Sequence, residues 1–173
     1  SLRLFGTLQL EYQGKQVILG QARLEELLAY VALRPGVSIA RSEIAFHFWP
    51  DSSEKQALTN LRKTLLLLRR KLPDADLFLQ GGRQHLQWQT DAPCRIDVVD
   101  FQGMIVAAQQ GESIVLIRER LAGAIDLYRG DLLAGSYAEW VIPLRERLRQ
   151  SFLGALEQLV DLLEEGRVYD DAA

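Results

Sequence analysis

Residues 54–72, EKQALTNLRKTLLLLRRKL, decide the fold because they carry the clearest helical pattern in the chain. Leucine recurs at steps of three and four, which is the spacing of a helix that packs one face on a core. The core-facing leucines are Leu58, Leu61, Leu65, Leu68 and Leu72. Arginine and lysine lie outside this stripe. We therefore expect one long helix with an apolar side and a charged side.

Both ends of this helix carry a local signal. Ser53 followed by Gln56 is a capping-box pattern, so a start at Ser53 has a mechanism. Pro73 ends the helix, because the residue before a proline is pushed out of the α region. A leucine-anchored helix with outward cations fits a DNA groove, but the segment alone favours an ordinary solvated helix face, because helix faces carry charge by default. The flanking sequence has to decide between these interpretations.

Composition describes a folded protein with no membrane segment. The chain has 173 residues, of which 48% are apolar, enough for a real core in one large or two small domains. No run reaches the roughly 18 apolar residues of a membrane span, and no signal peptide is visible. Cys94 is the single cysteine, so an internal disulfide is excluded. We expect a cytoplasmic protein.

The net charge of −3 hides an uneven distribution. Residues 1–92 hold 12 Lys+Arg against 9 Asp+Glu, a net +3, and residues 93–173 hold 8 against 14, a net −6. This asymmetry predicts two domains, 1–92 and 93–173, with different partners. It permits DNA binding by the first domain without demonstrating it.

Periodicity predicts a different structure for each half. Residues 2–12 alternate as a half-buried strand that Gly6 interrupts, and a returning strand follows at 15–19. Further along, Gly81-Gly82 joins two short strands into a hairpin. The elements predicted after the first sheet are helices at 21–33, 41–49 and 54–72, with a short strand at 37–39, and a hairpin at 77–89. This order is the layout of a winged helix-turn-helix domain with a recognition helix and a β wing.

The second half is predicted to be helical throughout. Helices are expected at about 97–110 and 117–128, and a longer one within 139–165 that ends at Gly166. The phrase at 155–173 resembles part of a tetratricopeptide-type hairpin. Such units bury their faces on neighbouring units, so we expect a truncated piece of a longer helical domain. The fold class is therefore α+β, a winged helix followed by an all-α, tetratricopeptide-like domain.

An ordered set of short motifs resembles the SARP (Streptomyces antibiotic regulatory protein) type of bacterial regulator. These regulators join an OmpR/PhoB-type winged helix to a bacterial transcriptional activator domain. The matching phrases are LRLFG at 2–6, LLAYVAL at 27–33, FWPD at 48–51, NLRK at 60–63, DF at 100–101, LYRGDLL at 127–133, EW at 139–140 and GR at 166–167. The resemblance implies a four-stranded N-terminal sheet, three helices and a C-terminal wing. It also implies sequence-specific binding to promoter DNA, with activation as the expected outcome.

The resemblance also implies site residues where the motif positions match. The DNA-binding candidates are Asn60, Arg62, Lys63, Arg70 and Arg83. Asn60 either reads adenine or bonds to local backbone, and Arg83 either contacts DNA from the wing or is an ordinary hairpin charge. The loop at 50–53, with Asp51 and Ser52, corresponds to the segment that contacts RNA polymerase in such regulators. Paired copies on tandem sites are expected as well.

Two positions depart from the family pattern. Leu66 and Leu67 stand where relatives carry polar or basic residues, which leaves leucine outside the core stripe. Three interpretations of these leucines are open: they contact thymine methyl groups, they are covered by the helical domain, or they form a protein-binding surface. Ala40 replaces the usual serine or threonine cap, which concerns stability only.

Catalysis is the least favoured class of function. His47 and His85 have no ligand set around them, and no phosphate loop, metal cluster or nucleophile–base arrangement is visible. We therefore expect no enzyme activity, no metal and no cofactor. The alternative to a DNA-binding regulator is a protein-interaction module that keeps the winged-helix shape without reading DNA. Leu66, Leu67 and the negative net charge motivate that alternative.

Overall fold

A computed structural model describes the backbone of residues 1–111 and 113–171, and the side chains of that part up to residue 165. The described residues divide into two compact units. The first contains residues 1–2 and 8–96, and the second contains residues 3–7 and the chain from Asp97 onward. A boundary after residue 92 would place residues 3–7 in the first unit and residues 93–96 in the second. By packing, residues 3–7 belong to the second unit and residues 93–96 to the first. That boundary itself stays a prediction.

The first unit opens with a small antiparallel sheet. Its strands are β1 (Leu2–Arg3), β2 (Gln9–Tyr12) and β3 (Lys15–Val17), in the spatial order β1-β2-β3. Leu10 pairs with Val17 across β2 and β3, and Gly14 turns the chain between them with a φ of 74°. The sheet therefore has three strands, and the four strands implied by the family resemblance are not observed.

Helices and a second sheet complete this unit. The helices are α1 (Ala22–Ala32), α2 (Arg41–Phe48) and α3 (Glu54–Lys71). The second sheet has the order β4-β6-β5, with β4 (Ile39–Ala40), β5 (Leu79–Gln80) and β6 (His85–Trp88). Both strand pairs of this sheet, β4 with β6 and β5 with β6, are antiparallel. This arrangement confirms the predicted winged helix-turn-helix fold.

Glycine is required at the wing because two backbone segments approach closely there. A Cβ atom built on Gly81 would lie 2.4 Å from the carbonyl oxygen of His85, well inside van der Waals contact. Trp88 anchors the base of the wing in the core, where its ring stacks on Phe78 at a centroid distance of 5.6 Å. The wing is therefore held at its base and exposed at its tip.

The second unit is helical, as predicted. It contains α4 (Asp97–Gln109), α5 (Ile114–Leu127) and α6 (Val141–Asp171). Ala108, Leu121 and Ala155 form the centre of its core, one from each helix. The end predicted at Gly166 is wrong, because α6 continues to Asp171. No helix among the described residues is long and apolar enough to cross a membrane.

Residues 3–7 are part of this second unit. The Asp97 carboxylate accepts hydrogen bonds from the backbone N–H groups of Leu4 at 2.8 Å and Phe5 at 3.0 Å. Gly6 and Asp131 join the same segment to the chain after α5 through a 2.9 Å backbone bond. Burial raises the pKa of Asp97, and the backbone N–H donors oppose that rise. With its backbone groups used in this way, the segment is not available to extend the N-terminal sheet.

Candidate nucleic-acid interface

Helix α3 presents its charged side from a fixed position. The Ser53 hydroxyl accepts from the backbone N–H of Gln56 at 3.4 Å, so the predicted N-cap is confirmed. Leu72 is the C-cap residue, directly before Pro73. The buried residues of the helix are Ala57, Leu61, Leu65 and Leu68. Predicted core residue Leu58 is only half-buried, and Ala57 takes its place on the buried face.

Four of the predicted DNA-binding side chains share one property, namely exposure without a protein counter-ion. They are Arg62, Lys63, Arg70 and Arg83. In the part of the chain that the structure describes, none of the four takes part in an ion pair. The first three lie on α3 and Arg83 lies at the wing. The structure thus leaves several cations of one domain available to an anionic partner.

Asn60 is held by its own helix. Its side-chain oxygen accepts a hydrogen bond from the amide nitrogen of Gln56 at 2.9 Å, one turn earlier. The side chain is half-buried. The observed partner is the Gln56 side chain and not the backbone, and adenine recognition by Asn60 stays a prediction.

Arg69 connects α3 to the wing. One guanidinium nitrogen donates to the Leu79 carbonyl oxygen at 2.9 Å, and another pairs with Asp76. Leu79 lies in β5, the first strand of the wing. Arg69 therefore positions the wing relative to α3, a role that no local sequence pattern indicates.

Arg41 is a site residue that sequence reasoning missed. Its backbone N–H donates to the Gln84 carbonyl oxygen at 2.8 Å, and its Nε atom is buried without a hydrogen-bond partner. Burial lowers the pKa of Arg41, and the positive charges of Arg69 and Arg62 lower it further. Arg41 thus adds a third positive charge beside Arg62 and Arg69.

The loop between α2 and α3 borders an apolar pocket of about 270 Å³. Phe46, Trp49 and Pro50 form its apolar wall, and Ser52 and Glu54 contribute polar atoms. Phe46 is 69% exposed, which is unusual for a phenylalanine. Asp51 is exposed, and in the sequence it lies between Pro50 and Ser52, which both line this pocket. The loop predicted to meet a partner thus adjoins a surface that has room for an apolar side chain.

Leu66 and Leu67 are both solvent-accessible, with 52% and 38% of their surface exposed. Among the described residues, no group of three or more histidine, cysteine, aspartate or glutamate side chains is placed to hold a metal ion. The chemistry offered by the site is therefore cationic and apolar.

The fold and these side chains define a class: a winged helix-turn-helix domain with an exposed cationic face on its third helix, followed by a helical domain. Residues 96–173 match the family described as the bacterial transcriptional activator domain. The regulatory protein AfsR of Streptomyces coelicolor is 27% identical over 157 residues, which cover 88% of this chain and 16% of that protein. The chain thus spans a minor part of its curated relative.

A solved structure shares the fold. Mycobacterium tuberculosis EmbR, determined in complex with a low affinity phosphopeptide, superposes with a TM-score of 0.76 at 17% identity. The match covers 93% of this chain and 44% of that one. Together these findings confirm the resemblance to the SARP-type regulators: residues 96–173 match the bacterial transcriptional activator domain, and a winged helix precedes them.

Proposed function

We propose that this chain binds promoter DNA in a sequence-specific manner and regulates transcription. In this proposal α3 enters the major groove, and the wing with Arg83 contacts the adjacent backbone or minor groove. The observation that carries the proposal is the set of exposed cations Arg62, Lys63 and Arg70, which have no ion pair within the described residues. The leucine stripe supports it, because it fixes the direction of these side chains.

The cations divide into two roles. Contacts to phosphates supply affinity and salt dependence, whereas contacts to base edges supply sequence choice. Arg41 suits a phosphate, because an anion beside its guanidinium would offset the repulsion from Arg62 and Arg69. Asn60 and Arg62 suit base edges, since amide and guanidinium groups form bidentate pairs with adenine and guanine.

RNA polymerase is the protein partner that we propose for the loop at Asp51 and Ser52. The apolar pocket bordered by Phe46 and Trp49 supports this, because an apolar anchor in a pocket beside polar residues is a common form of protein contact. Binding of paired copies to tandem sites stays a prediction, which the length of the protected DNA segment tests.

A second function is favoured by one observation only. The exposure of Leu66 and Leu67 fits a protein-interaction module that does not read DNA. The cations Lys63 and Arg70 that border them on α3 fit DNA better, since phosphates supply anions at a regular spacing.

Selection of bound duplexes from a random pool tests the proposal. We expect the chain to enrich one sequence, and the double variant Arg62→Ala, Lys63→Ala to lose affinity for it at least tenfold. Arg147→Ala is the matched control, because Arg147 is an exposed arginine of α6 in the other unit. A pool without enrichment, or equal affinity of the double variant and the control, would refute sequence-specific binding through α3.

A further inference from the structure

A four-residue patch on α3 combines two cations with two leucines. Lys63, Leu66, Leu67 and Arg70 follow one another at steps of three, one and three residues, so they occupy one face of the helix. At 100° per residue this face lies opposite the buried stripe of the same helix. All four side chains are exposed. We call them the outward patch.

Packing within the protein does not explain the leucines of the outward patch. The core of this unit is already filled by Leu61, Leu65 and Leu68, which are 4% exposed or less. A single exposed leucine needs no explanation, but two adjacent ones at the centre of a charged helix face are unusual. Their apolar surface is available to a partner, and the partner has to tolerate cations on both sides.

The dimensions of the outward patch match a DNA major groove. Arg70 follows Lys63 by seven residue steps, a rise of about 10 Å along the helix. The major groove is about 12 Å wide, with phosphates along both edges and thymine methyl groups on its floor. The patch therefore offers cations for the phosphates beside the groove and leucines for the methyl groups on its floor.

We propose that Leu66 and Leu67 read the C5-methyl groups of thymine in the major groove, and so determine part of the sequence preference. The inference rests on the proposed function, because it needs α3 in the groove. It assigns the specificity of these two positions to apolar contact instead of hydrogen bonding. Arg83 and Arg41 support DNA over an acidic protein partner, since they add cations on the wing and on α2.

Deoxyuridine tests this inference directly, because it lacks only the methyl group of thymine. Each thymine of the selected duplex is replaced in turn, and the Kd is measured for the wild-type chain and for the double variant Leu66→Ala, Leu67→Ala. Burial of one methyl group is worth about 0.8 kcal/mol, which is about a fourfold change in Kd. We expect this loss at one or two thymines for the wild type and none for the double variant. Leu163→Ala, an exposed leucine of α6, is the control and should retain the loss.

Three results would overturn the inference. The first is a selected site with no thymine in the segment that α3 protects. The second is unchanged wild-type affinity at every substituted thymine, and the third is an equal loss in the double variant. Thermal unfolding checks that the double variant is folded.

A chain that binds no selected DNA refutes the proposed function as well, whereas tight binding without a methyl effect refutes this inference alone. Leucine variants that lose a protein partner and bind both DNAs equally would identify the patch as a protein-docking surface.

Discussion

Replacement of Arg41 by methionine should make the protein more stable and weaken its binding to DNA. The Arg41 guanidinium is partly buried, its Nε has no partner, and Arg69 and Arg62 repel it. It also lies in the first turn of α2, where the helix dipole disfavours a cation. Methionine keeps a long unbranched stem and removes the charge.

The expected gain in the free energy of unfolding is about 1 kcal/mol. Removal of an unfavourable cation from a helix N-terminus contributes about 0.3–1 kcal/mol. Relief of the repulsion adds a similar amount, which solvent screening keeps below about 1 kcal/mol because the guanidinium is only partly buried. For a domain of roughly 60–100 residues, the size class of the first unit, 1 kcal/mol raises the midpoint of thermal unfolding by about 4–8 °C. Loss of one phosphate contact should lower the slope of log K against log salt by about 0.9.

Denaturant unfolding and DNA binding measured on the same preparations test both effects. Arg70→Met is the matched control: Arg70 lies in the last turn of α3, where a cation is favourable, so its loss should weaken DNA binding without a gain in stability. If Arg41→Met destabilises the protein and leaves the salt slope unchanged, Arg41 is a structural residue and the anion site is wrong.

Two further changes probe the two units separately. Asp97→Ala leaves the backbone N–H groups of Leu4 and Phe5 without their acceptor, at a cost of about 1–3 kcal/mol. Amide hydrogen exchange at Leu4 and Phe5 should therefore accelerate by tenfold or more. Unchanged exchange would show that these hydrogen bonds are dispensable. Burial raises the pKa of Tyr30 to about 12, so its neutral form favours the folded state, and stability should fall as the pH rises from 10 to 12. Alkaline titration of Tyr30→Phe, which lacks the 3.1 Å bond to Glu43, should lose that component of the fall; equal alkaline profiles would contradict it.

Features that depend on neighbouring residues were predictable from the sequence. The bounds of α3 follow from Ser53 at its start and Pro73 after its end, because both act within one turn. The wing follows from Gly81-Gly82 between two short apolar strands. The leucine period gave the buried face of α3, with an error only in its first turn, where Ala57 replaces Leu58.

Features that depend on distant residues were not predictable. The surroundings of Arg41 include Arg62, Arg69 and Gln84, which lie more than 20 residues further along the chain. Strand alternation left Phe5 without a role, yet its ring packs on Phe101 and Tyr128 in the second unit. Gly166 does not end α6, because a single glycine costs a helix only about 1 kcal/mol, which the rest of the helix offsets.

The salt dependence of DNA binding by the Arg62→Ala, Lys63→Ala variant tests the central claim most directly. The Kd for the selected duplex is measured between 50 and 200 mM salt for the variant and for the wild type, with Arg147→Ala as the control. Loss of the Lys63 contact to a phosphate should lower the slope of log K against log salt by about 0.9, and loss of the Arg62 contact to a base edge should lower affinity at every salt concentration. Identical lines for the variant and the wild type would contradict the account, because α3 would then not face DNA.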